Sequence, residues 1–165
     1  MIESVQTIGV PAEGNKRDTA ARQRWMAVLA CAAPEDIALL WRTAVGPSAP
    51  EIDYLRPAET GMVMTQGRAG GTGGRFNLGE MIVTRCSVRL EDGTIGHAYV
   101  AGRSKRHAEM AAVLDALLQS DATGAHVRRT VIEPLAARQA ARRDERRRKA
   151  AGTRVDFFTL VRGED

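Results

Sequence analysis

The sequence predicts an α+β domain, an antiparallel sheet with helices packed on one face. Three observations carry this. Segments with a two-residue period follow one another through the middle third of the chain, from Ile52 to Gly102. Asp92 and Gly93 join two of them, and Asp-Gly is the strongest short hairpin signal. Segments with helical period lie before and after this block, which argues for hairpin-linked strands covered by helices.

The elements follow in chain order. Residues 1–17, with Pro11 and Gly14, read as a flexible extension, and residues 18–165 as a single domain. Asp18 or Thr19 caps a first helix, in which Trp25, Val28, Leu29 and Ala32 recur at helical spacing. Pro34 opens a second helix with the stripe Ile37, Leu40, Trp41 and Ala44, because proline suits the first helical position. Ile52–Arg56 and Gly61–Arg68 read as strands, with Pro57 marking an edge or a break. The glycine-rich stretch Gly67–Met81 reads as a connection. Met81–Leu90 alternates, with Ile82, Cys86, Val88 and Leu90 on one face and Arg85, Ser87 and Arg89 on the other, as a half-buried strand does. Ile95–Gly102 is its return strand. Ser104 caps a helix with the stripe Met110, Val113, Leu114, Leu117 and Leu118. A loop follows, then a long basic helix from about Val131 to Ala150, stopped by Gly152. Arg154–Gly163 closes the chain as a strand or extended arm.

The length of 165 residues suits one domain that folds without disulfides or metal. Cys31 and Cys86 have no ligand spacing and read as free thiols. The first residues lack the pattern of a secretory signal, and no apolar run approaches the ~20 residues of a membrane span, so the expected location is the cytoplasm. The net charge of +4 is uneven. Residues 138–149 hold seven basic and two acidic side chains, and the remainder is close to neutral. This helix makes a nucleic-acid-binding module the alternative reading, although it lacks the interleaved aromatics such modules carry.

Two clusters invite an anion. The first is Arg68, Gly70, Gly71, Thr72, Gly73 and Arg75. It lacks the lysine and the following helix of a P-loop, so it is no stand-alone nucleotide cradle. Its glycines most simply allow positive φ in a strand connection. Beyond that, a backbone nest between two arginines can meet an anion or a partner's side chain. Glu59, Glu80 and Asp92 are the carboxylates able to compensate those arginines. The second cluster is Arg103, Lys105 and His107 at a helix N-terminus, where N–H groups and cations favour phosphate. His107 and Glu109 point to different sides of that helix and form no metal pair. His97 and His126 read as structural. No catalytic or metal-binding residue can be picked from spacing. In the terminal segment, Arg154, Phe157, Phe158 and Arg162 are candidates for partner docking, since Phe157 and Phe158 face opposite ways when extended.

Several strings taken together resemble a known family. "TAARQRWMAVLA" (Thr19–Ala30), the run from Arg56 to Glu109 that contains "TGMVMTQGRAGGTGGRFNLGEMIVTRCSVRLEDGTIGHAYVAGRSKRHAE", and "RVDFFTLVRG" (Arg154–Gly163) are similar to the PhnG subunit family of the bacterial carbon–phosphorus lyase system. The likeness covers about Asp18 to Gly163. The first seventeen residues stand outside it, and segment 138–149 is richer in arginine than the family pattern suggests. The resemblance implies a non-autonomous subunit in a core complex with PhnH, PhnI and PhnJ, two copies of each. It implies a role, with PhnI, PhnH and PhnL, in forming α-D-ribose 1-methylphosphonate 5-triphosphate. There methylphosphonate displaces adenine from MgATP, which is the substrate of the complex. The nucleosidase chemistry belongs to PhnI in this picture, and PhnJ later breaks the C–P bond. No cofactor is expected on this subunit alone, and neither nucleic acid nor membrane is an expected partner.

Overall fold

The computed structural model describes residues 13–46 and 49–152. Two helices come first, α1 (Glu13–Ala30) and α2 (Pro34–Ala44). Three strands follow, β1 (Ile52–Arg68), β2 (Arg75–Leu90) and β3 (Ile95–Ala101), forming an antiparallel sheet in the order β1-β2-β3. Then come α3 (Lys105–Leu118), α4 (Asp121–Val127), a π turn (Arg128–Ile132) and α5 (Glu133–Gly152). The fold is α+β, as the sequence predicts.

One face of the sheet carries the core. Thr84, Cys86, Val88 and Leu90 of β2, with Ala98 and Val100 of β3, are buried. Against them lie Ala108, Ala111, Ala112 and the expected α3 residues Met110, Val113, Leu114 and Leu118. Trp25 and Leu29 of α1, and Ile37 and Leu40 of α2, complete the cluster. Gly96 lets β3 lie directly on α3, since a Cβ there would sit 2.0 Å from the Ala112 carbonyl. The other face is polar near the core. Arg85 and Arg56 bond Glu59 (2.7 and 2.6 Å), Arg89 pairs with Asp53, and Ser87 Oγ meets His97 Nδ1 at 2.9 Å. Exposed pairs of this kind are worth only about 0–1 kcal/mol each. They keep the face wet.

Four expectations are corrected. The first helix starts at Glu13, ahead of Asp18. Ile52–Arg56 and Gly61–Arg68 are one strand, and Pro57 sits in a register irregularity between Arg56 and Glu59 on an edge strand, a place that tolerates its missing N–H. β2 begins at Arg75, so most of the glycine-rich connection is paired strand. The loop expected after Ser120 is instead helical throughout. Gly124 and Pro134 suggest a break there, but both have other causes. A Cβ on Gly124 would lie 2.9 Å from the Leu118 carbonyl, so the glycine serves close packing. The π turn, closed by Glu133 N–H to the Arg128 carbonyl, precedes Pro134 and accommodates a residue that cannot donate. The expected terminal strand and the residues 1–12 lie outside the described residues. No helix among the described residues is long and apolar enough to cross a membrane.

Candidate functional site

The β1–β2 hairpin outruns the helices. Ala58 is the last buried residue of β1, and Val83 is the first of β2. Where the hairpin leaves the core, Thr60 and Thr84 hydroxyls meet at 3.1 Å, and Thr84 Oγ1 donates to the Gly102 carbonyl at 2.7 Å. From there the two strands continue through residues 61–82 as an arm roughly 25 Å long, at about 3.3 Å per residue. Its pairs run from Met62↔Ile82 and Val63↔Met81 to Arg68↔Arg75.

The first predicted cluster forms the tip of this arm. Gly70 (φ 59) and Gly71 (φ 81) take the left-handed conformation, as expected. Gly73 does not. It is small for another reason, because a Cβ would lie 2.7 Å from the Ala69 carbonyl. The N–H groups of Thr72 and Gly73 both donate to that carbonyl, so they point into the turn and away from any anion. Arg68 Nη1 donates to the Gly73 carbonyl at 3.3 Å. Arg75 stands opposite Arg68. Among the described residues neither arginine makes an ion pair, for Glu59 is held by Arg56 and Arg85, and Asp92 accepts the Thr94 N–H. Hydrogen bonds from Arg56 and Arg85 hold the Glu59 carboxyl below the usual range.

The second cluster sits at the base of the arm, about 25 Å from the tip by strand length. The two do not converge on one anion. Arg103 and Lys105 are exposed beside Gly102. His107 is a correction: it is 2% exposed, and its Nε2 bonds the Leu29 carbonyl at 2.8 Å. Only its backbone N–H faces the helix end, where Ser104 Oγ accepts it as the predicted cap. His107 ties α3 to α1 and has no surface to offer an anion or partner. Arg154, Phe157, Phe158 and Arg162 lie outside the described residues.

The basic helix is partly engaged. Arg138 and Arg142 grip Asp36 at 2.6 and 2.7 Å, fastening α5 to α2, and Lys149 pairs with Glu145 along the helix. Ser87 and His97 have the parts of a dyad, but they lie on an exposed sheet face, and no carboxylate bonds the second ring nitrogen among the described residues. No group of three metal-ligating side chains occurs there either.

Sequence reasoning missed a buried carboxylate. Asp115 is 0% exposed and accepts four hydrogen bonds, from Arg22 Nε (3.2 Å) and Nη2 (2.7 Å), Trp25 Nε1 (2.8 Å) and the His97 N–H (2.9 Å). Arg22 also reaches the Ile95 carbonyl, and Arg128 stacks over the Trp25 ring at 5.5 Å. The network satisfies part of the free edge of β3 and joins α1, α3 and the sheet. A lone acid in the apolar run "AAVLDALL" was the available signal.

Fold and surface thus define a class, a small α+β protein whose most distinctive feature is a protruding two-stranded arm with a cationic tip. Residues 20–163 match the family described as phosphonate metabolism protein PhnG, and the chain belongs to this family. It is 47% identical over 150 residues to the alpha-D-ribose 1-methylphosphonate 5-triphosphate synthase subunit PhnG of Rhizobium meliloti (strain 1021), a match covering 88% of this chain and 92% of that protein.

Proposed function

We propose that the chain is a non-autonomous subunit of an α-D-ribose 1-methylphosphonate 5-triphosphate synthase, acting in the breakdown of organic phosphonates. The observation that carries this is its 47% identity to a synthase subunit across nearly the full length of both proteins. The complex takes MgATP and methylphosphonate as substrates and releases adenine, and this subunit binds no cofactor of its own. Its partners are the PhnI, PhnH and PhnJ subunits, with PhnL joining for the synthase step, and two copies of it enter each core complex. The site of action is the cytoplasm. Arg154, Phe157, Phe158 and Arg162 supply further docking contacts. The engagement of Arg138 and Arg142 with Asp36 favours this reading over a nucleic-acid-binding helix, since two of that helix's cations are held within the chain.

Adenine release from MgATP in the presence of methylphosphonate tests the proposal. The subunits reconstituted with this chain should produce adenine, and omission of this chain should abolish it. Adenine formation by the isolated chain, or full activity without it, overturns the proposal.

A further inference from the structure

The arm is built unlike the rest of the sheet. Near the core, the face away from the helices is laddered with Arg85–Glu59, Arg89–Asp53 and Ser87–His97 contacts. Beyond Val83 the charged pairs among the described residues end, only the Thr65–Gly79 and Gln66–Asn77 side-chain hydrogen bonds crossing the strands, and large apolar side chains stand exposed. Met62 is 66% exposed, Leu78 68%, Met64 52% and Phe76 47%. These groups occupy both faces. Val63 and Met81 are cross-strand neighbours on one side, and a Cβ on Gly67 would touch Phe76 and Leu78 on that same side. Met62 and Met64 take the opposite face by alternation. Among the described residues both edges are open too, because β3 pairs only with Val83–Arg89 of β2 and β1 has no second neighbour there. A two-stranded ribbon with apolar faces and open edges is marginal in water and invites association.

Resting on the reading of the chain as a synthase subunit, we propose that residues 61–82 insert into an apolar cleft of a different subunit, with carboxylates at the far end of that cleft pairing with Arg68 and Arg75. Exposure on both faces calls for a cleft that encloses the arm, where a flat patch would cover one face only. Charge selects the kind of partner. Two copies of the chain meeting tip to tip would gather four arginines, since each brings Arg68 and Arg75. Two arms lying antiparallel would bring each tip to the other's base, where Arg56, Arg85, Arg103 and Lys105 outnumber Glu59 and Glu80. Both arrangements juxtapose like charges, which costs association. A partner that brings its own carboxylates meets the tip with charge-assisted bonds.

The test uses the complex assembled in cells from all subunits. A photo-reactive amino acid is placed at Leu78 in one variant and at Met64 in another, with a control at Arg147. Both arm positions should crosslink to a different subunit, and the control should not. Leu78→Asp, and separately Arg68→Glu with Arg75→Glu, should lower incorporation into the complex at least tenfold, while the isolated variants melt within about 2 °C of the parent chain. Crosslinks to a second copy of the chain, or none in a complex that assembles, overturn the proposal alone. A parent chain that never enters the complex overturns the subunit reading, and this proposal with it.

Discussion

Asp115→Asn should be the most damaging isosteric change in the described residues. The carboxylate is 0% exposed and receives four donors, two of them from Arg22. Asparagine keeps the shape but turns an NH2 group toward one set of donors and removes the counter-charge. Breaking a buried ion pair costs about 3–5 kcal/mol. The Arg22 side chain is 32% exposed, so water recovers part of that loss. A cost of about 2–4 kcal/mol follows, since either the indole on Oδ1 or the His97 N–H on Oδ2 still loses its acceptor. For a chain of this size each kcal/mol moves Tm by about 2–4 °C, so the variant should melt roughly 5–15 °C lower. Thermal melting followed by circular dichroism and by tryptophan fluorescence measures this. A double-mutant cycle with Arg22→Met should give a coupling of at least about 1 kcal/mol, as contacting residues do. A variant melting within about 2 °C of the parent, or a cycle that is additive, would refute the reasoning.

Other substitutions probe other parts. Gly96→Ala places a Cβ 2.0 Å from the Ala112 carbonyl and 2.8 Å from the Ala116 nitrogen, so β3 must lift off α3; the expected loss exceeds about 3 kcal/mol and is read by chemical denaturation. Gly73→Val meets the Ala69 carbonyl at 2.7 Å and deforms only the tip, so melting should hold while incorporation into the complex falls; a normal complex would make the tip a mere connection. Arg75→Ala should reduce assembly or adenine release about tenfold, the order expected on losing one charge-assisted bond. Cys31 is exposed and should react readily with a thiol reagent, whereas Cys86 is buried and should stay protected until unfolding. Burial, with the nearby Glu109 charge, pushes the Cys86 thiol up to about 11. The folded state then keeps a proton that the unfolded chain releases from the ordinary thiol range upward. Stability should therefore be full below that range and decline toward pH 11, with a shallower decline in Cys86→Ala.

The core was legible because it alternates or recurs. Trp25 and Leu29, Ile37 and Leu40, and the α3 stripe all keep a helical period, and β2 from Thr84 to Leu90 buries every second residue. Ser104, Pro34 and Asp92–Gly93 marked their caps and turn by local chemistry that tertiary packing left alone. The misread stretch after Ser120 shows the limit of such rules. A glycine and a proline there answer to packing and to a π turn, causes that a window of residues does not contain. His107 failed differently. Beside Arg103 and Lys105 it looked like part of a basic turn, but its position three residues past the cap rotates the ring inward to Leu29.

The arm was hidden for a physical reason. Strand periodicity is a contrast between a dry face and a wet one, and residues 61–82 have no dry face among the described residues. Their glycines then dominate any reading and suggest a loop. Yet the two arginines singled out at the start do stand opposite one another, with no carboxylate of the described residues paired to either. The turn between them directs its Thr72 and Gly73 N–H groups inward, to Ala69, which weakens the case for an anion cradle. What remains informative is the composition of the strands that carry the turn. Met62, Met64, Phe76, Leu78 and Met81 on a solvent-exposed ribbon would destabilise a free protein against association. Such residues suit a ribbon whose faces and edges are covered by another molecule, and the pattern missing from these strands is expected in the lining of its partner's cleft.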